Sequence, residues 1–197
     1  MIRQRTLPPP PIRRREILRY MGASASTPEL EALTDRALSL LQGHLCYRVC
    51  YREVPVVREE DGIRLLSLVT PSQTVARALE GCKTAVLFAA TVGLEVDRLI
   101  LAHSRTSPAL ALCLQACGAE RVEALCDAFA EEYAREAGAC RPRISPGYGD
   151  LPLTCQAELF RLLDCERQIG LTLNQSLLMT PSKSVTALFG RKEDAPL

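Results

Sequence analysis

The spacing of apolar and polar positions divides the chain into short helices and strands. Apolar residues recur at helical spacing over 30–41, after the helix-start signal Thr27-Pro28, and again from Pro108 to about Ala137. Apolar and polar residues alternate within 44–58, which predicts a strand. Residues 84–91 are almost continuously apolar, so we predict a strand buried on both faces.

The remaining segments complete a mixed order of helices and strands. Shorter helical patterns are predicted at 13–21, 71–80, 94–103, 153–163 and 164–168. Further strands are predicted at 63–69, as the return strand of a hairpin with 44–58 through the turn at 59–62, and at 171–179 and 184–189. Strands that are both paired as hairpins and separated by helices favour the α+β class with a largely antiparallel sheet. We predict a single domain over 13–197, preceded by an extended proline-rich arm over 1–12.

Length and composition indicate an ordinary globular protein. The chain has 197 residues, which is long enough to bury one hydrophobic core. Hydrophobic residues make up 47% and charged residues 24%, as is typical of globular proteins. A net charge of +1 and 5% aromatic residues give no reason to expect a nucleic-acid partner. No apolar run is long enough to span a bilayer, and the first residues do not resemble a signal peptide. We expect a cytoplasmic protein with no membrane partner.

Charged residues concentrate in two regions. A basic cluster lies near the start of the chain and has two interpretations, a solvated arm or a docking surface for an acidic partner: Arg3, Arg5, Arg13, Arg14 and Arg15. The last turns of the long predicted helix are acidic and are interpreted as a solvated face: Asp127, Glu131, Glu132 and Glu136.

The nine cysteines are interpreted as structural. Their odd number, irregular spacing and lack of a Cys-x-x-Cys pair argue against a secreted disulfide framework. His44, Cys46 and Cys50 would share one face of an alternating strand, so a metal site is geometrically possible. Their spacing is not that of standard metal sites, and free cysteine usually behaves as a small apolar residue. We therefore predict no metal ligands.

The segment 143–156 combines turn-forming residues with a cation and an aromatic ring. Two prolines and two glycines predict an ordered surface connector between helices. Arg143 offers a planar fork of donors suited to a carboxylate, and Gly147 lets a ligand approach the main chain. The alternative is an ordinary turn with a solvated Arg143 and a packed Tyr148.

The pattern Arg143-x-x-x-Gly147-Tyr148 resembles the Arg-x-x-x-Gly-Tyr motif in the activation domain of cobalamin-dependent methionine synthase. The likeness continues, in the same order, through 145–156, 159–164, 169–173, 179–185 and 189–190. It is strong over 141–190 and looser over 83–138. The chain is identified as a member of this family.

The resemblance implies a fold and a ligand. The fold would be one domain with a curved antiparallel sheet and helices packed around it. The ligand would be S-adenosylmethionine, with Arg143 on its carboxylate, the backbone of Ser145 to Gly147 near its amino acid and base, and Tyr148 beside it. The sulfonium carbon is already electrophilic, so we expect no catalytic acid or base.

The resemblance also implies a role. In the family the ligand methylates the cobalt of an oxidised corrinoid, with an electron from a reduced flavodoxin or similar donor. This sequence has no Asp-x-His-x-x-Gly motif for binding cobalamin, so we hypothesise a reactivation subunit acting in trans on methionine synthase or another corrinoid methyltransferase. One alternative is a docking or scaffold protein that no longer binds S-adenosylmethionine. Another is a small-molecule binder of unrelated purpose that reuses the pocket.

Two departures from the family pattern affect the expected affinity. Where the full-length enzymes have an acidic residue near the start of the domain, segment 11–16 is basic, with Glu16 its only acid. The sequence also ends at Leu197 without the tyrosine pair that follows the last strand in those enzymes. We therefore expect binding that is weak or that a partner completes.

Overall fold

An antiparallel sheet with helices on both faces organises the structure. The computed structural model describes residues 1–192, and the strands there are β1 (Arg3–Thr6), β2 (Arg48–Pro55), β3 (Val57–Glu59), β4 (Gly62–Leu65), β5 (Leu68–Thr70), β6 (Thr84–Thr91), β7 (Thr172–Leu173), β8 (Met179–Thr180) and β9 (Ser184–Arg191). The helices are α1 (Arg14–Tyr20), α2 (Pro28–Leu41), α3 (Gln73–Ala78), α4 (Glu95–His103), α5 (Pro108–Ala137), α6 (Cys155–Leu163) and α7 (Cys165–Ile169). The α+β class is confirmed.

The main sheet has the strand order β1-β2-β6-β9, and all its pairs are antiparallel. The central strand β6 is buried at every position after Thr84, which confirms the prediction that both its faces are covered. Smaller sheets are formed by β3-β4-β5 and by β7-β8.

Each face of the main sheet carries its own core. One face packs against α5, which in turn contacts α1, α2 and α4. Five aromatic rings meet there with centroid distances from 5.1 to 6.3 Å: Tyr51, Phe88, Phe129, Tyr133 and Phe189. The other face packs against α6 and α7, and α3 joins that core through β4.

Local chemistry explains where the helices begin. Thr27 caps α2, with its side-chain oxygen accepting a hydrogen bond from the backbone N–H of Leu30 at 3.3 Å, as predicted. Ser72 caps α3, because the chain stays in β5 through Thr70.

The structure corrects two predicted strands. The predicted hairpin between 44–58 and 63–69 forms only next to its turn, where the short β3 pairs with β4, whereas β2, the main part of the predicted first strand, pairs with β1 and β6. The predicted strand over 171–179 is wrong. There the side chain of Asn174 accepts hydrogen bonds from the backbone of Ser176 and Leu178, which closes a loop between β7 and β8.

Within the predicted proline-rich arm, Arg3–Thr6 pairs with β2 at an edge of the main sheet. None of the helices in residues 1–192 is long and apolar enough to cross a membrane. All nine cysteines are free. His44 and Cys46 precede β2 instead of lying on a strand, and no group of three or more potential metal ligands forms within residues 1–192.

Candidate functional site

The motif segment leaves α5 and passes along the outer edge of β9. Ile144 exchanges two backbone hydrogen bonds with Leu188, at 2.9 and 2.8 Å. Neighbouring side chains of an extended segment point in opposite directions. Ile144 therefore enters the core beneath α6, while Arg143 points to the α5 side of the sheet.

Two carboxylates of α5 hold Arg143. Its Nη2 donates to Glu123 at 2.5 Å and to Asp127 at 3.0 Å, and 23% of its side chain is exposed. Within residues 1–192, Nε and Nη1 of Arg143 make no hydrogen bond. Burial alone would lower the pKa of Arg143, but the neighbouring Cys126, the hydrogen bond and charge of Glu123, and the hydrogen bond to Asp127 raise it. Arg143 is a permanent cation with two nitrogens left to donate.

The segment before α1 reaches the same face of α5. Arg13 donates to Asp127 at 2.6 Å and to the buried Glu120 at 3.3 Å. Glu120 pairs with the buried Arg121, which also donates to the carbonyls of Pro10 and Pro11, at 2.6 and 2.7 Å. Asp127 thus bridges Arg143 of the motif and Arg13 of segment 11–16, which departs from the family pattern.

The basic cluster and the acidic turns largely pair with each other or with other acids of the chain. Arg5 donates to Glu132 at 2.6 Å and also pairs with Glu136. The acidic turns therefore form ion pairs through Asp127, Glu132 and Glu136, and of the four acids Glu131 and Glu136 are exposed, as the solvated-face interpretation expects. The solvated-arm interpretation is wrong for Arg5, because only 19% of its side chain is exposed.

The other predicted site residues lie on one closed turn. The N–H of Tyr148 donates to the carbonyl of Ser145 at 3.1 Å, and the N–H of Gly147 donates to the carbonyl of Leu151 at 2.9 Å. Gly147 has φ +88°, a left-handed conformation that glycine adopts without strain. Tyr148 is 65% exposed, so its ring does not pack into the core.

Asp150 anchors this turn, a role that the sequence reasoning missed. It accepts hydrogen bonds from the hydroxyl of Ser72 at 2.6 Å and from the backbone N–H groups of Gln73 and Thr74 at 2.7 and 3.0 Å. These bonds, that of Ser72 first, lower the pKa of Asp150. The sequence does contain one signal for this role. The first turn of α3 has no acidic residue, so an acid from elsewhere in the chain is needed to balance the positive end of the helix dipole.

The structure thus joins Arg143 to the α5 acids and places Ser145, Gly147 and Tyr148 on a turn fixed to α3. Neither Arg143 nor Tyr148 lines any of the four clearest pockets on residues 1–192. The candidate site lies at the surface of the β9 edge, where Arg143 is partly exposed and Tyr148 largely exposed.

Sequence comparison decides the family. The family model described as the activation domain of vitamin B12-dependent methionine synthase matches residues 72–196, more than half of the chain. The chain belongs to this family. The matched range includes α3, the long helix α5 and the motif segment.

A solved structure has the same fold. The crystal structure of the MetH reactivation domain bound to AdoHcy superposes with a TM-score of 0.76 at 18% sequence identity. The match covers 100% of this chain and 80% of the other. A comparison with curated proteins gives no match.

Proposed function

We propose that this activation domain binds S-adenosylmethionine at Arg143 and the adjoining turn, and supports the reactivation of a corrinoid methyltransferase in trans. Family membership and a shared fold with a domain bound to AdoHcy support the ligand class. The partner would be methionine synthase or a related enzyme that carries the cobalamin.

The orientation of Arg143 carries the proposal. Glu123 and Asp127 engage only Nη2, which fixes the guanidinium while Nε and Nη1 remain to donate within residues 1–192. Each of these nitrogens can donate a charge-assisted hydrogen bond to a carboxylate oxygen of a ligand. The same acids supply negative charge beside the guanidinium, where the ammonium group of an amino acid would lie. Arg143 would therefore attract the carboxylate of an amino acid, and Glu123 and Asp127 would attract its ammonium group.

The turn would hold the rest of the ligand. Gly147 has no side chain to keep a ligand away from the main chain, and Ser145 contributes a hydroxyl. The exposed ring of Tyr148 gains contact area when a ligand covers it. Asp150 fixes the turn to α3 and thereby sets its distance from Arg143.

The chemistry requires positioning from this chain. S-adenosylmethionine supplies an electrophilic methyl group on a sulfonium, and the corrinoid of the partner would receive it after reduction by a flavodoxin-like donor. Arg143 would hold the amino acid end so that the methyl group faces outward. A surface site suits this task, because the acceptor arrives on another protein, which would also exclude water.

A second candidate function is docking on a corrinoid protein without binding S-adenosylmethionine. The observation that favours it is the ion pairing of Arg143 within the chain, which already satisfies part of its charge. The exposed Tyr148 would then contact the partner directly.

Calorimetry distinguishes the two functions. We expect S-adenosylmethionine to bind the wild-type protein and to bind Arg143→Ala at least about tenfold more weakly, since hydrogen bonds to charged groups contribute about 1.5–3 kcal/mol. Arg161→Ala is the control, because Arg161 also pairs with an acid but lies outside the motif. Absence of binding to the wild-type protein would favour docking alone. Added to a corrinoid methyltransferase without its own activation module, the wild-type protein should restore activity with a reductant and S-adenosylmethionine.

A further inference from the structure

A row of polar residues crosses the main sheet at the end where β2 begins. The strand register places Thr6 opposite Arg48, Arg48 opposite Thr91, and Thr91 opposite Ser184. These residues share the face that packs against α6 and α7, because Cys50, two positions along β2, belongs to that core. Ser184 donates to Thr91 at 2.8 Å, whereas Arg48 is the single charge in the row.

The side chain of Arg48 makes no hydrogen bond or ion pair within residues 1–192. Its Nε is buried and makes no hydrogen bond there, and no carboxylate of this part of the chain lies within ion-pair distance. By contrast, Arg52 on the same face of β2 donates to the carbonyl of Leu162 at 3.5 Å. A buried donor without a partner costs stability, and in native proteins such groups often mark a bound ion or water.

Arg48 lies against a small polar pocket. The pocket has a volume of about 230 Å³ and is lined by Gln4, Arg5, Thr6, Arg48 and Ile169. At about 30 Å³ per water molecule, it holds a small anion with a few waters but is smaller than the pockets of drug-sized ligands.

The edge of the sheet adds further donors to this pocket. The N–H of Leu7 donates to Tyr47, which makes that pair a hydrogen-bonded one. Hydrogen-bonded and non-hydrogen-bonded pairs alternate along antiparallel strands. The N–H groups of Gln4 and Thr6 therefore point away from β2, into the space beside the edge strand.

We propose that this pocket binds a small tetrahedral oxyanion of the phosphate or sulfate class. Arg48 supplies charge and a planar fork, and Thr6 supplies a hydroxyl and an outward N–H group. These donors come from two strands and are not coplanar, which suits a tetrahedral anion better than a carboxylate. The site lies at the β1 edge, opposite the β9 edge that carries Arg143, and it does not depend on the binding of S-adenosylmethionine.

Titration with inorganic phosphate at constant ionic strength, in a chloride buffer, tests the site. We expect saturable binding by calorimetry to the wild-type protein and at least about tenfold weaker binding to Arg48→Gln. Arg36→Gln is the matched control and should bind as the wild type does, because Arg36 is an exposed arginine outside this pocket. Sulfate should compete with phosphate.

A second measurement covers the case in which Arg48→Gln does not fold. In ¹H–¹⁵N spectra of the wild-type protein, phosphate should shift the amide signals of Thr6 and Arg48 and the Nε–H signal of Arg48 along one saturating curve. Absence of saturation, equal binding by a folded Arg48→Gln variant, or shifts confined to other regions would each overturn the proposal.

Discussion

Glu120→Ala tests whether a buried ion pair holds the segment before α1 against α5. Glu120 accepts hydrogen bonds from Nε and Nη2 of Arg121 at 2.6 and 2.7 Å, and from the backbone N–H and Nε of Arg13 at 3.1 and 3.3 Å. The side chain of Arg121 is only 3% exposed. Removing the carboxylate therefore leaves a guanidinium buried without its counter-charge.

The expected cost is large. Breaking a buried ion pair by removing one partner destabilises proteins by about 3–5 kcal/mol, against a total stability of about 5–15 kcal/mol. Urea unfolding followed by circular dichroism measures this loss. Trypsin should also cleave the variant faster after Arg13, because two of the contacts that hold this residue are lost.

The prediction for Glu120→Ala has a control variant and a result that would contradict it. Glu131→Ala removes an exposed acid from the same helix and should change stability by no more than about 0.5 kcal/mol. If Glu120→Ala loses less than about 1 kcal/mol and trypsin cleaves it no faster than the wild type, the buried pair does not anchor the segment.

Two further substitutions test the packing of α5 and the anchoring of the motif turn. Gly118→Ala should lower the melting temperature, because the new Cβ would lie 2.7 Å from Cγ1 of Val96 and overpacking costs about 1–3 kcal/mol. This cost exceeds the gain of about 0.5–1 kcal/mol that alanine brings to a helix. A more stable variant would refute this prediction. Asp150→Asn should be less stable than the wild type at pH 7. The hydrogen bond from Ser72 helps to lower the pKa of Asp150. The stabilisation that the ionised Asp150 provides is therefore complete above the ordinary aspartate pKa of about 3.9, and it is lost as the pH falls towards the lowered pKa. The difference in unfolding free energy should therefore narrow below about pH 4, and a constant difference from pH 3 to 7 would contradict the role of Asp150.

The elements predicted correctly are those whose pattern is long or unambiguous. Helix α5 keeps its apolar spacing over 30 residues, and β6 is apolar along nearly its whole length. Strand β1 could not be predicted, because Arg3–Thr6 is short and polar and is a strand only through pairing with β2, far along the chain. The apolar pattern does not reveal why Gly118 lies in this helix, whereas the structure shows its close contact with Val96 and Lys183.

Only the motif residues of the candidate site could be predicted from the sequence. The motif located Arg143 and the turn through residues that are contiguous in the chain. Glu123 and Asp127 precede Arg143 on α5, and they meet it only because the chain reverses at Gly138 and returns along β9. Periodicity cannot distinguish such an acid from a solvated one, since the partner is fixed by tertiary structure.

The most direct test of ligand binding at Arg143 compares S-adenosylmethionine with its decarboxylated analogue, on the wild-type protein and on Arg143→Ala. If Arg143 binds the carboxylate, the wild type should prefer the intact ligand by about 10- to 150-fold, which corresponds to about 1.5–3 kcal/mol. The variant should bind both ligands equally weakly. Equal affinity of the wild type for both ligands, or the same preference in Arg143→Ala, would contradict the account.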